Sequence, residues 1–284
     1  MIESEIREIY YFPGCSMATS SKEENKALMM FCEKHSVSLL PLEDWNCCGS
    51  SSAHSVDSKL GYLLPARNLA LVPKGKPLFV ACPSCYLRLK SAHKKLLADD
   101  FACREYELLY RIPVDYDLRI INFFELLSDM VDEGVLSKDK PLKGLLYVPY
   151  YGCMLARPPS WKKDRNFYGL MEKTLNYLGA ESIIWPELSR CCGTYLSISK
   201  PDTASKNIGK IFDGAAIAGA ECIVTACQMC HLNLELRATL PGKVPIFHIY
   251  ELLALSIGIG RGMHWFKRHL IDPRPLLKSR KLID

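Results

Sequence analysis

The sequence predicts an α/β protein built from two pseudo-symmetric halves, each with its own parallel β-sheet. A set of five cysteines occurs twice at similar spacing, and short β-rich runs alternate with helical patterns in both copies. We predict an N-terminal domain at 1–140, a C-terminal domain at 141–260 and a basic tail at 261–284, with the boundary inside S-K-D-K-P at 137–141.

The repeat rests on cysteine spacing. In the first half, Cys15 is followed after 31 residues by Cys47-Cys48, and after 33 more by Cys82-x-x-Cys85. In the second, Cys153 is followed after 37 residues by Cys191-Cys192, and after 34 more by Cys227-x-x-Cys230. Flanking residues also agree, since F-P-G-C-S-M matches Y-Y-G-C-M-L and F-V-A-C-P-S-C matches V-T-A-C-Q-M-C. These matches indicate a tandem duplication.

The predicted strands end just before the cysteines. E-I-Y-Y-F and G-L-L-Y-V precede Cys15 and Cys153, V-S-L-L-P-L and S-I-I-W-P precede the Cys-Cys pairs, and P-L-F-V-A and C-I-V-T-A run into the Cys-x-x-Cys motifs. Helical patterns such as E-E-N-K-A-L-M-M-F-C-E-K-H and N-F-Y-G-L-M-E-K-T-L-N-Y-L lie between them. This alternation predicts an open, Rossmann-like parallel sheet in each half. Loops at the carboxyl ends of such strands are where ligands bind, so five sulfurs should meet there.

The chemistry of the cysteines favours metal or redox function. Thirteen cysteines in 284 residues exceed what packing needs, and adjacent cysteines make strained disulfide partners. The Cys-x-x-Cys motifs are predicted to open helices, whose N-termini stabilise thiolates. A structural zinc site or a cubane iron–sulfur cluster takes four ligands, so the fifth cysteine is either catalytic or incidental, or the centre is a larger cluster. The residues alone leave both explanations open, and zinc as well.

Composition restricts the function classes. The chain is 49% hydrophobic and 24% charged, which is ordinary for a globular protein. Its N-terminus is acidic and it has no apolar run of about 18 residues, so we expect a cytoplasmic protein without direct membrane insertion. Its net charge of +5 comes from the tail, which lacks interleaved aromatics beyond Trp265-Phe266. We therefore expect no nucleic-acid binding. The tail is either a solvated end or a docking site for an acidic partner or an anionic ligand.

The doubled pattern C-x(31–37)-C-C-G-x(~33)-C-x-x-C resembles the CCG domain in the B subunit of heterodisulfide reductase, from about residue 8 to 255. The resemblance implies that each motif binds a noncubane [4Fe–4S] cluster through five cysteines. The ligands would be Cys15, Cys47, Cys48, Cys82 and Cys85 for the first cluster, and Cys153, Cys191, Cys192, Cys227 and Cys230 for the second. It also implies partners: a cubane iron–sulfur subunit, a flavin subunit, and a disulfide substrate that is either a small molecule or bound to a protein.

Two functions follow from this resemblance. In the first, the chain is the catalytic subunit of a heterodisulfide reductase-like complex, which reduces or forms a disulfide held between the two clusters. In the alternative, it is a non-catalytic electron-relay subunit of a complex that oxidises lactate or glycolate, or reduces fumarate.

Further residues are weaker candidates. His54 is a candidate proton donor to a leaving thiolate, and Arg157 is a candidate contact for an anionic substrate group. His231 directly follows Cys230 and is a candidate hydrogen-bond partner near the second cluster. His248 replaces Asn122 of the other repeat, which indicates asymmetry between the halves. For the cysteines outside the motif we expect buried packing at Cys32 and Cys222 and assign no role to Cys103.

Overall fold

The computed structural model describes residues 7–156, 167–238, 244–259 and 264–284. The first half contains, in chain order, β1 (Arg7–Phe12), α1 (Gly14–Ala18), α2 (Lys22–Lys34), β2 (Val37–Pro41), α3 (Ala53–Val56), α4 (Leu60–Ala70), β3 (Leu78–Val80), α5 (Pro83–Ala98), α6 (Asp100–Tyr110), β4 (Ile120–Asn122) and α7 (Phe123–Asp132). The second contains β5 (Leu146–Tyr150), α8 (Gly152–Ala156), α9 (Leu170–Tyr177), β6 (Glu181–Ser182), α10 (Pro201–Ile217), β7 (Cys222–Thr225), α11 (Gln228–Arg237), β8 (Ile246–His248), α12 (Ile249–Ser256) and α13 (Arg274–Ser279).

Each half forms one four-stranded parallel sheet. The strand order is β2-β1-β3-β4 in the first sheet and β6-β5-β7-β8 in the second, so the two sheets have the same topology. The strand β3 is buried throughout, as is its counterpart β7, because both lie inside their sheets. The predicted α/β class with two pseudo-symmetric parallel sheets is confirmed.

The strands differ from the prediction in two places. The fourth strands, β4 and β8, were not predicted because they show no periodicity and no cysteine motif follows them. The run S-I-I-W-P at 182–186 is not a strand beyond Ser182. There Ile184 is 99% exposed, while the indole of the buried Trp185 donates a hydrogen bond to the Pro149 carbonyl at 2.8 Å.

The helices that carry Cys-x-x-Cys begin as the sequence predicts. Cys82 and Cys227 have extended backbones (φ −87°, ψ 124° and φ −131°, ψ 123°) and serve as N-caps of α5 and α11. Pro83 occupies the first position of α5, where a missing N–H costs nothing. Both helices therefore start at the carboxyl edge of their sheet, directly after β3 and β7.

By their contacts the residues form two compact units, Met1–Ser20 with Ser36–Leu126 and Ser21–His35 with Leu127–Asp284. Helix α2 thus belongs to the second unit, where it packs against α12. Its buried side chains include Ala27, Leu28 and Phe31. The predicted domain limits at 140 and 260 describe the sequence repeat and stay a prediction.

Part of the positive charge of the basic tail is paired with acidic residues of the second unit. Arg268 forms an ion pair with Glu23, Arg280 with Glu221, and Arg274 with its neighbour Asp272. None of the helices in the described ranges combines the length and the apolar character that a bilayer crossing requires.

Candidate metal centres

The first set of cysteines meets at the carboxyl edge of the first sheet. Cys15 lies in α1 directly after β1, Cys47 and Cys48 lie in the loop after β2, and Cys82 and Cys85 begin α5. The Sγ atoms of Cys15 and Cys47 are 3.9 Å apart, and those of Cys48 and Cys85 are 3.2 Å apart. The Cys85 thiol also donates a hydrogen bond to the Cys82 sulfur. Three loops thus bring five sulfurs into one group.

The second set repeats this arrangement in the second unit. The Sγ atoms of Cys153 and Cys191 are 3.7 Å apart, those of Cys192 and Cys230 are 3.3 Å apart, and the Cys230 thiol donates a hydrogen bond to the Cys227 sulfur. All thirteen cysteines lie in the described ranges and all are free thiols. The sulfurs therefore contact one another without forming disulfides.

Each set is closed on one side and open on the other. Cys48, Cys82 and Cys85 are buried, as are their counterparts Cys192, Cys227 and Cys230. The outer pair is accessible in both sets: Cys15, Cys47 and Cys191 are exposed and Cys153 is half-buried. A group bound by five sulfurs would be held from the protein side and remain reachable from solvent.

Hydrogen bonds favour thiolates at the inner position of each Cys-Cys pair. Bonds from the thiols of Cys47 and Cys85 lower the pKa of Cys48 to about 4. A bond from the Cys230 thiol lowers the pKa of Cys192 to about 6, and the Thr194 hydroxyl lies 2.9 Å from the Cys192 sulfur. A thiolate is the form that binds a metal.

Two glycines let the backbone pass close to the sulfurs. Gly14 and Gly152, one residue before Cys15 and Cys153, have φ of +74° and +66°. A Cβ on Gly14 would lie 3.0 Å from the Cys85 sulfur, and one on Gly152 would lie 3.1 Å from the Cys230 sulfur. A side chain at either position would strain the backbone and would also clash with the sulfur.

Backbone donors point at the outer sulfurs. The N–H of Gly49 donates to the Cys47 sulfur at 3.5 Å, and the N–H of Gly193 donates to the Cys191 sulfur at 3.4 Å. The CCG glycine therefore supplies a hydrogen bond to a cysteine two residues earlier. Such bonds stabilise negative charge on sulfur.

Different asparagines hold the two Cys-Cys loops. In the first unit the buried Asn68 of α4 donates to the Asn46 carbonyl at 3.0 Å and accepts from the Asn46 N–H at 2.9 Å. In the second, Asn233 of α11 donates to the Cys192 carbonyl at 2.9 Å. Sequence reasoning missed both, because neither asparagine belongs to a repeated motif.

Three of the further residues named in the sequence analysis lie in the described ranges: His54, His231 and His248. His54 is exposed on α3, with Nε2 3.2 Å from a guanidinium nitrogen of Arg88 on α5. His231 is buried, and its Nδ1 lies 3.2 Å from the Thr225 hydroxyl. His248 is fully buried and forms a capping box with Glu251 at the start of α12. Arg157 lies outside the described residues.

A buried ion-pair cluster lies behind the second set, and sequence reasoning missed it. His269, from the tail, has Nδ1 2.9 Å from Glu235 of α11 and Nε2 2.8 Å from Glu251 of α12. Burial lowers its pKa, but the two carboxylates outweigh this and raise the pKa to about 10. His231, Glu251 and His269 have potential ligand atoms within 4.8 Å of one another, yet both His269 nitrogens already face carboxylates. The protonated His269 therefore ties the tail to two helices.

Fold and site together define a class: a duplicated α/β protein in which each parallel sheet presents five cysteine sulfurs at its carboxyl edge. The model of the cysteine-rich domain called CCG matches residues 9–90 and 147–235, which is more than half of the chain. This chain belongs to the CCG cysteine-rich domain family, which confirms the resemblance.

Relatives of known name are similar over most of their length. The 8-methylmenaquinol:fumarate reductase membrane anchor subunit of Wolinella succinogenes is 27% identical over 95% of this chain and 99% of its own. The B subunit of the ferredoxin/F(420)H(2)-dependent CoB-CoM heterodisulfide reductase of Methanosarcina acetivorans is 26% identical over 87% of this chain and 88% of its own. A hypothetical protein from Helicobacter pylori shares the fold, with a TM-score of 0.72 at 11% identity, over 94% of this chain and 52% of its own.

Proposed function

We propose that this chain is an iron–sulfur subunit of a multi-subunit oxidoreductase, and that each cysteine set holds one noncubane [4Fe–4S] cluster. The observation that carries the proposal is the pair of matching five-sulfur groups, each with three buried and two accessible cysteines. The ligands would be the ten cysteines of the two CCG motifs. The names of relatives that are subunits of reductases support the assignment of this chain to a multi-subunit oxidoreductase.

The donor set fits such a cluster better than a zinc ion. A structural zinc ion takes four ligands in a tetrahedron. Each cysteine set offers five sulfurs, which is one more than such a site uses. A fifth thiolate suits a core of several metal atoms. The hydrogen bonds from Gly49 and Gly193 to sulfur are of the kind that tune iron–sulfur clusters.

We further propose that the complex reduces or forms a disulfide. Iron–sulfur clusters, when bound, exchange one electron at a time, and an accessible iron can bind sulfur. The accessible side at Cys15 and Cys47, and at Cys153 and Cys191, supports entry of a small thiol or disulfide. Electrons would arrive from a partner with cubane clusters, which is supplied by a flavin subunit. His54, Arg157 and His231 stay candidates for contacts with the substrate.

A second candidate is an electron-relay subunit in a fumarate reductase-like complex. The similarity to a fumarate reductase subunit across 99% of that relative favours it. The two candidates differ in whether small sulfur compounds reach the clusters. Thiols added to the oxidised protein should change the electron paramagnetic resonance spectrum if the chain acts on disulfides. Unchanged spectra would favour the relay.

Metal content tests the cofactor. Anaerobically purified protein should contain about eight irons per chain with matching sulfide, whereas about two zincs without sulfide would support structural metal sites. Cys47→Ala should remove or rearrange the first cluster and spare the second. The matched control is Cys32→Ala, because Cys32 is buried in α2 and belongs to neither set, so this change should leave the iron content unchanged. If Cys47→Ala left both clusters intact, the five-ligand assignment would be wrong.

A further inference from the structure

The second half buries polar atoms that have no partner. Among the described residues, three buried side-chain nitrogen or oxygen atoms lack a hydrogen bond: Nε2 and Oε1 of Gln228, and Nε2 of His248. Gln228 is 1% exposed and His248 is 0% exposed. An unsatisfied buried polar group is unfavourable, because it has lost its hydrogen bonds to water and gained none in the protein. Native proteins rarely leave such groups unpaired, so a partner is expected to join them.

The position of Gln228 indicates what that partner is. Gln228 is the first residue of α11, between the buried Cys227 and Cys230 of the second cysteine set. The equivalent position of the first half is Pro83, which has no amide side chain. Asn122, which corresponds to His248, accepts a hydrogen bond from the Phe124 N–H at 3.0 Å. Among the described residues, the buried polar side-chain atoms without a partner therefore all lie in the second half.

We infer that the side-chain amide of Gln228 donates a hydrogen bond to a sulfur of the second centre, and that this raises the reduction potential of that centre above the potential of the first. The inference rests on the proposed function, since it requires an iron–sulfur cluster at the second set. Sulfide and thiolate sulfurs accept hydrogen bonds and donate none, so Nε2 is the atom that faces the centre.

The effect on potential follows from charge. Reduction adds one electron to the centre, and this step forms no covalent bond and moves no proton. The added charge makes the sulfurs stronger acceptors, so a donor next to them stabilises the reduced form more than the oxidised form. The first half has no such donor at the equivalent position, because Pro83 lacks both the amide and the backbone N–H. An electron that enters the pair should therefore rest on the second centre.

The test measures both potentials in the anaerobic, iron-loaded protein. Dithionite supplies the electrons through redox mediators, and electron paramagnetic resonance follows each centre. The signal that disappears in Cys191→Ala identifies the second centre. Gln228→Met keeps the length of the side chain and removes the amide. We expect it to lower the reduction equilibrium constant of the second centre about tenfold, which is about 59 mV for one electron, and to leave the first centre unchanged.

A control variant and a reciprocal exchange between the halves test whether the Gln228 amide causes the difference in potential. Met229→Leu alters the next residue of the same turn without removing a side-chain hydrogen-bond donor, and should leave both potentials unchanged. Gln228→Pro copies the first half and should act like Gln228→Met. The backbone accepts proline here, because Cys227 is extended, as Cys82 is before Pro83. Pro83→Gln should raise the potential of the first centre.

Three results would bear on the inference in different ways. If the wild-type protein contains no iron or sulfide, the proposed function fails and the inference fails with it. If iron is present but Gln228→Met and Gln228→Pro both leave the second potential unchanged, the proposed function stands and the inference is refuted. If Gln228→Met binds less iron, the potentials of Gln228→Pro and Pro83→Gln decide, and no change in either refutes the inference.

Discussion

Removing the charges around His269 should make the stability of the chain less sensitive to alkaline pH. The perturbation is the combined substitution Glu235→Gln, Glu251→Gln and His269→Gln, which keeps polar side chains and removes all three titrating groups. The His269 side chain is 4% exposed, so solvent screens its two ion pairs very little. If one partner of such a buried ion pair loses its charge, the other charge is left uncompensated and the folded state is destabilised.

The direction and size of this pH effect on stability follow from the pKa of His269. Burial lowers this pKa, and the nearby carboxylates of Glu251 and Glu235 outweigh burial and raise it from 6.5 to about 10 in the folded chain. Protonation therefore favours the folded state. The stabilisation is complete below about pH 6.5 and is lost as the pH rises through about 10. Between about pH 7.5 and about pH 9.5 the loss amounts to roughly 2.5 kcal/mol.

The assay is the midpoint of thermal unfolding at these two pH values, measured anaerobically. A change of 1 kcal/mol shifts the midpoint of a protein of this size by about 2–4 °C, so the wild type should lose about 5–10 °C more than the variant. The exposed pair Asp272–Arg274 provides a control, and Asp272→Asn with Arg274→Gln should follow the wild type. Equal losses in wild type and in the Glu235, Glu251 and His269 variant would refute the assigned role of His269.

Three further predictions concern the sites and the remaining thiols. Asn68→Ala should cost about 1–3 kcal/mol and release iron from the first centre more than from the second; equal release would contradict the role of Asn68 in one loop. Gly152→Ala would place a Cβ 3.1 Å from a buried sulfur of the second set and should lower iron there. Gly144→Ala, with φ of +83° but open space, should retain the iron, and a similar loss would show that backbone strain alone is responsible. Iodoacetamide at neutral pH should label the half-buried Cys103 faster than Cys32, whose pKa burial raises to about 12; mass spectrometry that finds equal labelling would show that Cys32 is accessible.

The sheets and the grouping of the cysteines could be predicted from local sequence signals. The runs before Cys15 and Cys82 became strands, and α5 begins at Pro83 as its motif indicates. The sulfurs of each half came together because parallel strands place their carboxyl ends at one edge of a sheet. The assignment of these sulfurs as cluster ligands stays a prediction until metal is measured.

Other features depend on contacts between distant residues and left no local signal. The run after Glu181 reads as a strand, yet Ile184 points into solvent while Trp185 turns inward to the Pro149 carbonyl. His269 lies in a segment whose composition indicates only a basic tail, and it acquires its partners through packing against α11 and α12.

The order of residues in the chain is sufficient for the number of halves, the α/β class and the ten motif cysteines, because spacing and periodicity are properties of neighbouring residues. Three-dimensional packing was needed to show that α2 joins the second unit, that His269 is charged between two carboxylates, and that Gln228 is buried without a partner. These features depend on burial and on contacts between residues that are far apart in the chain. The type of a residue does not by itself determine whether that residue is buried.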